Sequence, residues 1–276
     1  MPTHLTNFEK TLNAENLPEL LLTPITIAAE QLPQGNLNRN VLFHTADGRP
    51  YLLRVENEAG RQQEMPNIVN EYKGVGFLDT PGNTFYFRTV QEQHAFADKL
   101  LHMNIPAISP VFSREKMQII AYCQGASNLA DMWKSQDPHV LAATQKAFEQ
   151  LMFCHDLHIV IGDRWGPNEL FLPDGSIRFI DFDIGIDGPE ACEFEFVAFM
   201  YFLTFFAQQT PSKDTTALQD FYTNLLVDNA REPKYSRKIL EKYLTSYPEY
   251  FSGQVPYSWN DTSACNTFFS HLRSHV

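Results

Sequence analysis

The rhythm of apolar positions changes near residue 124: before it they come as short runs broken by turn residues, after it as long stretches with a helical repeat. In the first part, apolar runs at 41–44 and 51–55 flank Ala46-Asp47-Gly48, a turn that predicts a β-hairpin. Residues 25–30 alternate as a strand does, 117–122 form another apolar run, and 5–22 carry a weak helical pattern with Asn13 as cap and Pro18 as interruption. Thr89 opens a helix with Phe96, Leu100 and Leu101 on one face, ending near Asn104. The stretch 56–88, with Gly60, Pro66, Gly74, Gly76 and Pro81-Gly82, reads as an insertion carrying a small hairpin around Pro81-Gly82. In the second part the chain turns helical from Asn128, and 139–155 repeats through Leu141, Ala147, Leu151 and Cys154. An apolar helix follows Asp187-Gly188-Pro189, then amphipathic stretches at 216–229, 235–247 and 262–275, whose aromatic residues are mostly core.

Chemistry concentrates at 161–183, IGDRWGPNELFLPDGSIRFIDFD. Asp163 is followed five positions later by Asn168 and thirteen beyond that by Asp181, with the turn Pro173-Asp174-Gly175 between two apolar runs. Loop, strand, hairpin turn and strand would bring Asn168 and Asp181 together, with Asp163 nearby. A carboxylate and an amide oxygen suit Mg²⁺, which needs few protein ligands when phosphates supply the rest. A further carboxylate held off the metal can orient an acceptor hydroxyl and take its proton.

D-x-x-x-x-N followed by an I-D-F-D strand resembles the catalytic and metal-binding loops of the protein-kinase-like superfamily, nearer the choline, thiamine and aminoglycoside kinases than the protein kinases. The resemblance covers roughly 30–210. It implies a two-lobed α+β protein-kinase-like fold, a β-rich N-lobe over 1–124 and a mainly helical C-lobe over 125–276. It implies ATP and Mg²⁺ as cofactors, Asp163 as catalytic base, and Asn168 and Asp181 as metal ligands. Residues 34–40 form a Gly/Asn-rich turn whose backbone would cover phosphates; Gly35, Asn36, Asn38, Arg39 and Asn40 belong to it. Arg54 closes a strand where protein kinases carry lysine, and a guanidinium can hold phosphates bidentately. Glu92 falls where the helix glutamate pairs with that basic residue, and Tyr122 and Cys123 fall in the hinge that meets adenine.

The chain departs from the family pattern at Gln34 (glycine), Leu37 (threonine) and Ile161 (histidine). Trp165 stands where protein kinases have a phosphate-contacting lysine; it either packs or offers a π-face to a cation, and Arg164 beside it is a candidate for the missing charge. Asp183 either assists the metal or caps a turn. His155 and His158 read as structural, and Glu193 or Glu195 as the acid that opens the buried large-lobe helix.

Of 276 residues, 33 are acidic and 21 basic, a net charge of −12 that disfavours nucleic acid and anionic membranes and suits a neutral or cationic acceptor. Four scattered cysteines suggest neither zinc nor a disulfide framework. With no leader pattern and no apolar run judged long enough to span a bilayer, the expectation is a soluble cytoplasmic protein of undetermined oligomeric state. The expected activity is transfer of a γ-phosphoryl group to a small-molecule hydroxyl. The alternatives are a silent nucleotide-binding regulator and, less favoured because Asp183 replaces the D-F-G glycine and no A-P-E segment occurs, a protein kinase.

Overall fold

The computed structural model describes residues 26–28, 37–210, 214–253 and 263–276. The expected helical lead-in at 5–22, most of the strand at 25–30, and Gly35 and Asn36 of the phosphate loop lie outside them.

The chain is α+β, with a β-sheet region first and a helical region after it. Strands β1 (Thr26–Ile27), β2 (Asn38–His44), β3 (Pro50–Glu56), β5 (Pro110–Arg114) and β6 (Met117–Ala121) form one antiparallel sheet in the order β1-β2-β3-β6-β5. The β2–β3 hairpin closes on Gly48, whose positive φ of 81° a side chain would disfavour. Residues 38–40, expected in the phosphate loop, are already strand: Asn38 pairs with Glu56 and Asn40 with Arg54. Phe43, Tyr51, Leu53 and Ile119 form a small separate core on this sheet.

The expected insertion takes a different form. Residues Glu58–Gly74 are a 17-residue helix, α1, with Pro66 inside it. Few of its residues are buried, so its sequence shows no apolar stripe; Tyr72 anchors it edge-on to Phe77, Phe85 and Phe194. Pro81-Gly82 does not turn a local hairpin. Strand β4 (Thr84–Phe87) instead pairs with β10 (Ile184–Asp187), 97 residues on from Phe87 to Ile184, so long-range pairing overrides the local turn signal. Helix α2 (Val90–His102) starts on a capping box in which Thr89 and Glu92 satisfy each other's backbone N–H groups.

In the helical region Asn128 caps α3 (Leu129–Ser135), and α4 (Val140–Asp156) runs to the loop that carries Asp163. A three-stranded sheet, β7 (Ser127–Asn128), β8 (Glu169–Phe171) and β9 (Ile177–Phe179), lies beyond it. Helix α5 (Ala191–Gln208) is the core of the region, with α6 (Thr216–Arg231), α7 (Arg237–Gly253) and α8 (Ser263–Arg273) around it. Phe148 stacks on Phe199 at 4.7 Å and Phe77 on Phe194 at 4.2 Å. By length and composition α5 could cross a membrane, contrary to the shorter apolar run read from the sequence. It is 89% buried within the fold, which accounts for its composition.

Candidate active site

Asp163 lies on the loop between α4 and β8, and Asp181 and Asp183 on the turn between β9 and β10. Three buried side chains hold these segments. Glu195, on the second turn of α5, accepts hydrogen bonds from Ile161 N (3.2 Å), Gly162 N (2.5 Å) and His155 Nε2 (2.8 Å). His155 Nδ1 meets the Tyr235 hydroxyl at 2.8 Å, so His155 is structural, as the sequence suggests; Glu193 accepts instead from Ser236 N. Ile161, in the histidine position, is wholly buried, and its backbone contributes through Glu195. Gly162 has φ 118°, and a Cβ there would stand 1.9 Å from Ile184 O, so the loop runs flush against β10.

Arg164 is the second support. Its guanidinium donates to Asn168 O (3.2 Å), Glu169 Oε1 (3.0 Å), Ile180 O (2.9 Å) and Asp181 O (3.3 Å). The expectation that Arg164 offers charge to an acceptor phosphate is therefore corrected: it is 2% exposed and committed to the backbone of both loops. Arg88 is the third. Its Nη1 donates to Ile161 O (3.1 Å), Phe182 O (3.2 Å) and Ile184 O (2.8 Å), and its backbone N–H to Asp183 O (2.7 Å). Trp165 is half-buried with Phe202 and Phe206 at ring distances of 6.5 and 6.2 Å, the packing alternative.

On this frame the acids converge. Asn168 Nδ2 donates to Asp163 O (2.9 Å) and lies 3.5 Å from Asp163 Oδ2, which engages the amide nitrogen rather than the oxygen. Asp181 has φ 59°, left-handed for a non-glycine residue, and its carboxylate is 36% exposed. Asp183 is buried, and Asn38 Nδ2 donates to its Oδ2 at 2.6 Å. Arg54 Nη2 bridges the two acids, 2.7 Å from Asp181 Oδ1 and 3.4 Å from Asp183 Oδ2. The expected pairing of Arg54 with Glu92 does not occur. The Glu92 carboxylate accepts from Thr89 N (2.7 Å) and Thr89 Oγ1 (3.0 Å) at the exposed start of α2, so the helix cap claims it. Half-buried Tyr122 and Cys123 follow β6; Tyr122 N donates to Pro50 O at 3.3 Å and the Cys123 carbonyl accepts from Ala126 N at 3.2 Å.

Burial raises the Asp163 carboxyl to about 6, with Asp181 and Glu195 adding to it against the opposing pull of Arg164. Burial and the neighbouring Asp181 push Asp183 up to about 8. For Asp181 burial acts upward, but the charge and hydrogen bond of Arg54, the hydrogen bond with Asp183 and the charge of Arg164 together outweigh it and hold the group below its usual range. One further acid, Glu71 of α1, has no signal in the sequence. Burial and then Asp163 raise it to about 8, and no ion pair or hydrogen bond to its carboxylate occurs among the described residues. Glu71 adds to the burial that raises the Tyr72, Tyr201, Tyr247 and Tyr250 phenols, and the Tyr250 ring lies over Gly74 at the end of α1. Only proximity to Asp163 in the fold could reveal Glu71, because α1 has no motif.

No group of three or more His, Cys, Asp or Glu forms a metal cage among the described residues. The residues nevertheless suit a hard cation that takes most of its oxygens from phosphates and water. Asp183 Oδ1 is buried with no hydrogen-bond donor, Arg61 Nη2 standing 3.9 Å away, beside the partly exposed carboxylate of Asp181.

No family model matches this chain, and no curated protein matches it. Among solved structures it is similar over 99% of its length to 99% of a choline kinase from Streptococcus pneumoniae, at 10% identity and a TM-score of 0.46. It is similar over 99% of its length to 94% of an amicoumacin kinase in complex with AMP-PNP and Ca²⁺, at 12% identity and a TM-score of 0.42. Over 98% of its length it is similar to 94% of a choline/ethanolamine kinase family protein from Mesorhizobium loti, at 11% identity and a TM-score of 0.46.

Glu195→Ala strands three donors in the core, two of them backbone N–H groups of the Asp163 loop. The expected loss is about 3–5 kcal/mol in urea unfolding, with Glu195→Gln, which keeps an acceptor oxygen, losing less. A loss below about 1 kcal/mol for the alanine variant would mean that Arg88 and Arg164 hold the loop without it.

Proposed function

We propose that this protein is an ATP- and Mg²⁺-dependent phosphotransferase acting on a hydroxyl of a small, cationic molecule in the cytoplasm. One observation carries the reading: a half-buried carboxyl, Asp163, is raised to about 6 beside an amide, Asn168, and a turn bearing Asp181 and Asp183. The family-like spacing of Asp163, Asn168 and Asp181 in the sequence supports it.

In this mechanism Asp181 and the Asn168 oxygen would hold Mg²⁺, which would supply positive charge against the transferred phosphate. Arg54, kept charged although burial opposes it, lies between the two acids on the sheet side and holds phosphate oxygens. Asn38 orients Asp183. Asp163 accepts the proton of the acceptor hydroxyl as its oxygen bonds to the γ-phosphorus and the bond to ADP breaks. A carboxyl near 6 is mostly ionised at neutral pH yet more basic than an exposed aspartate, which suits this role. Tyr122 and Cys123 lie where the hinge would meet the base. Glu71, without a partner for its carboxylate among the described residues and within electrostatic reach of Asp163 and four tyrosines, would face a positively charged group on the acceptor.

The second reading, a nucleotide-binding regulator without turnover, draws on the engagement of Glu92 at a helix cap instead of with Arg54. The two readings separate in one assay: ATP consumption with Mg²⁺ across choline, ethanolamine, thiamine, aminoglycosides and sugars. A phosphotransferase shows acceptor-dependent turnover whose kcat/KM falls below an inflection near pH 6, as Asp163 takes up a proton. Asp163→Asn lowers kcat by about 10²–10⁴-fold. Full turnover in an Asp181→Ala variant would sink the metal assignment. Mg²⁺-dependent ATP binding with no turnover on any acceptor would favour the regulator.

Glu71 makes a separate claim about the acceptor. Its pKa near 8 leaves it largely protonated at neutral pH, and a bound cation favours the ionised form, so binding releases a proton. With a permanently charged acceptor, KM is expected to fall as pH rises towards 8, and Glu71→Gln to raise KM about tenfold or more at pH 8 while flattening this dependence. A KM indifferent to pH in the wild-type protein would remove Glu71 from the acceptor site.

A further inference from the structure

The stretch 56–88, to which the sequence assigns no role, ends on Arg88, whose side chain is 4% exposed. One terminal nitrogen, Nη1, reaches Ile161 O at 3.1 Å, two residues before the proposed base, and Phe182 O and Ile184 O at 3.2 and 2.8 Å, on either side of Asp183. The backbone N–H of Arg88 donates to Asp183 O at 2.7 Å. Its guanidinium carbon lies 4.1 Å from the Phe96 ring centroid of α2 and 5.4 Å from that of Tyr86. Its carbonyl accepts from Gln93 Nε2 and Arg61 Nη2, both at 3.1 Å.

We propose that Arg88 is a positioning residue that sets the spacing between the Asp163 loop and the Asp181–Asp183 turn, so that the site is assembled by a side chain from outside both loops; the catalytic part of this inference rests on the phosphotransferase reading above. The bonding pattern distinguishes Arg88 from an ordinary stabilising arginine. It forms no ion pair with a carboxylate among the described residues; burial lowers its pKa, opposed by the hydrogen-bonded Tyr86 side chain and by Glu195. Its charge is met instead by three carbonyls drawn from two separate loops and by aromatic faces. Arg164 makes the corresponding link at the other end of the loop, to Asn168 O, Ile180 O and Asp181 O. Arg164 belongs to the loop it supports, whereas Arg88 lies just after β4 and just before α2. Movement of that junction is therefore transmitted to the distance between the acids, without Arg88 touching either nucleotide or acceptor.

The test uses the full chain with Arg88→Ala and Arg88→Lys, the lysine variant guarding against simple failure of the alanine variant to fold. Hydrogen exchange at the amides of 161–163 and 180–185 is followed with and without millimolar guanidinium, alongside steady-state turnover on whichever acceptor the panel identifies. The expected result is faster exchange in both segments together in the alanine variant, reversed by guanidinium. In turnover, kcat falls about 100-fold with KM for ATP little changed. Guanidinium restores at least a tenth of the lost kcat, and lysine, with one ammonium in place of the planar fork, restores less. Unchanged exchange, or a change confined to one segment, would overturn the proposal; so would a loss of kcat that neither guanidinium nor lysine relieves. Absence of turnover in the wild-type protein would count against the phosphotransferase reading alone, while the exchange result still decides whether Arg88 couples the two segments.

Discussion

Two irregular segments, 157–168 and 180–183, must lie side by side in the interior with few ladder partners for their backbone groups. Each buried carbonyl or N–H left unpaired would cost as much as a lost hydrogen bond, about 1–3 kcal/mol. Charged side chains from three places provide the missing partners. Glu195 takes the N–H groups at 161 and 162, Arg88 takes carbonyls at 161, 182 and 184, and Arg164 takes those at 168, 180 and 181. Because these bonds are made by long side chains, the loops keep the irregular geometry that points several acids at one place.

Gathering acids in this way works against itself electrostatically, and the pattern of shifts shows where the conflict is resolved. Arg54 neutralises Asp181 most directly, so that group stays below its usual range while Asp183, more deeply buried beside it, rises. Among the described residues Asp163 has no hydrogen-bonded cation at its carboxylate and is raised; Glu71, raised by burial and by Asp163, is raised more. Such a gathering of carboxyls favours bound positive charge. That preference agrees with the acidic balance of the whole chain.

The acids of 161–183 were legible in the sequence, as was Arg54, but the loop-holding roles of Arg88 and Arg164 were not. Asp163, Asn168 and Asp181 announce themselves by spacing within one short stretch, and the helices after residue 124 by their repeat. The hairpin over β2 and β3 is legible for the same local reason, a D-G turn between apolar runs. Arg88, by contrast, acts on residues 73 to 96 positions away, and Arg164 reads in sequence as a charge for a phosphate beside the proposed base. Helix α1 escaped notice because its burial rests on a few anchors, Tyr72 above all, and because Gly60, Pro66 and Gly74 are individually poor helix residues. Glu92 misled for an instructive reason. A threonine three residues before a glutamate describes a capping box as well as a helix glutamate aimed at a strand, and here the cap is the structure formed.

The left-handed backbone of Asp181 connects these observations. Strand β9 pairs with β8 beside the helical region, whereas β10 pairs with β4, so the chain must change direction between Phe179 and Ile184. A residue at φ 59° makes that change within one position, at a cost on the order of 1 kcal/mol for a side chain other than glycine. Glycine would make the turn more easily but would bring no carboxylate. The turn leaves Asp181 partly exposed and Asp183 buried against Asn38, and it delivers Ile184 O to Arg88. Strain at one candidate metal ligand thus goes together with the pairing of β4 and β10, and through that pairing with the junction from which Arg88 reaches both loops.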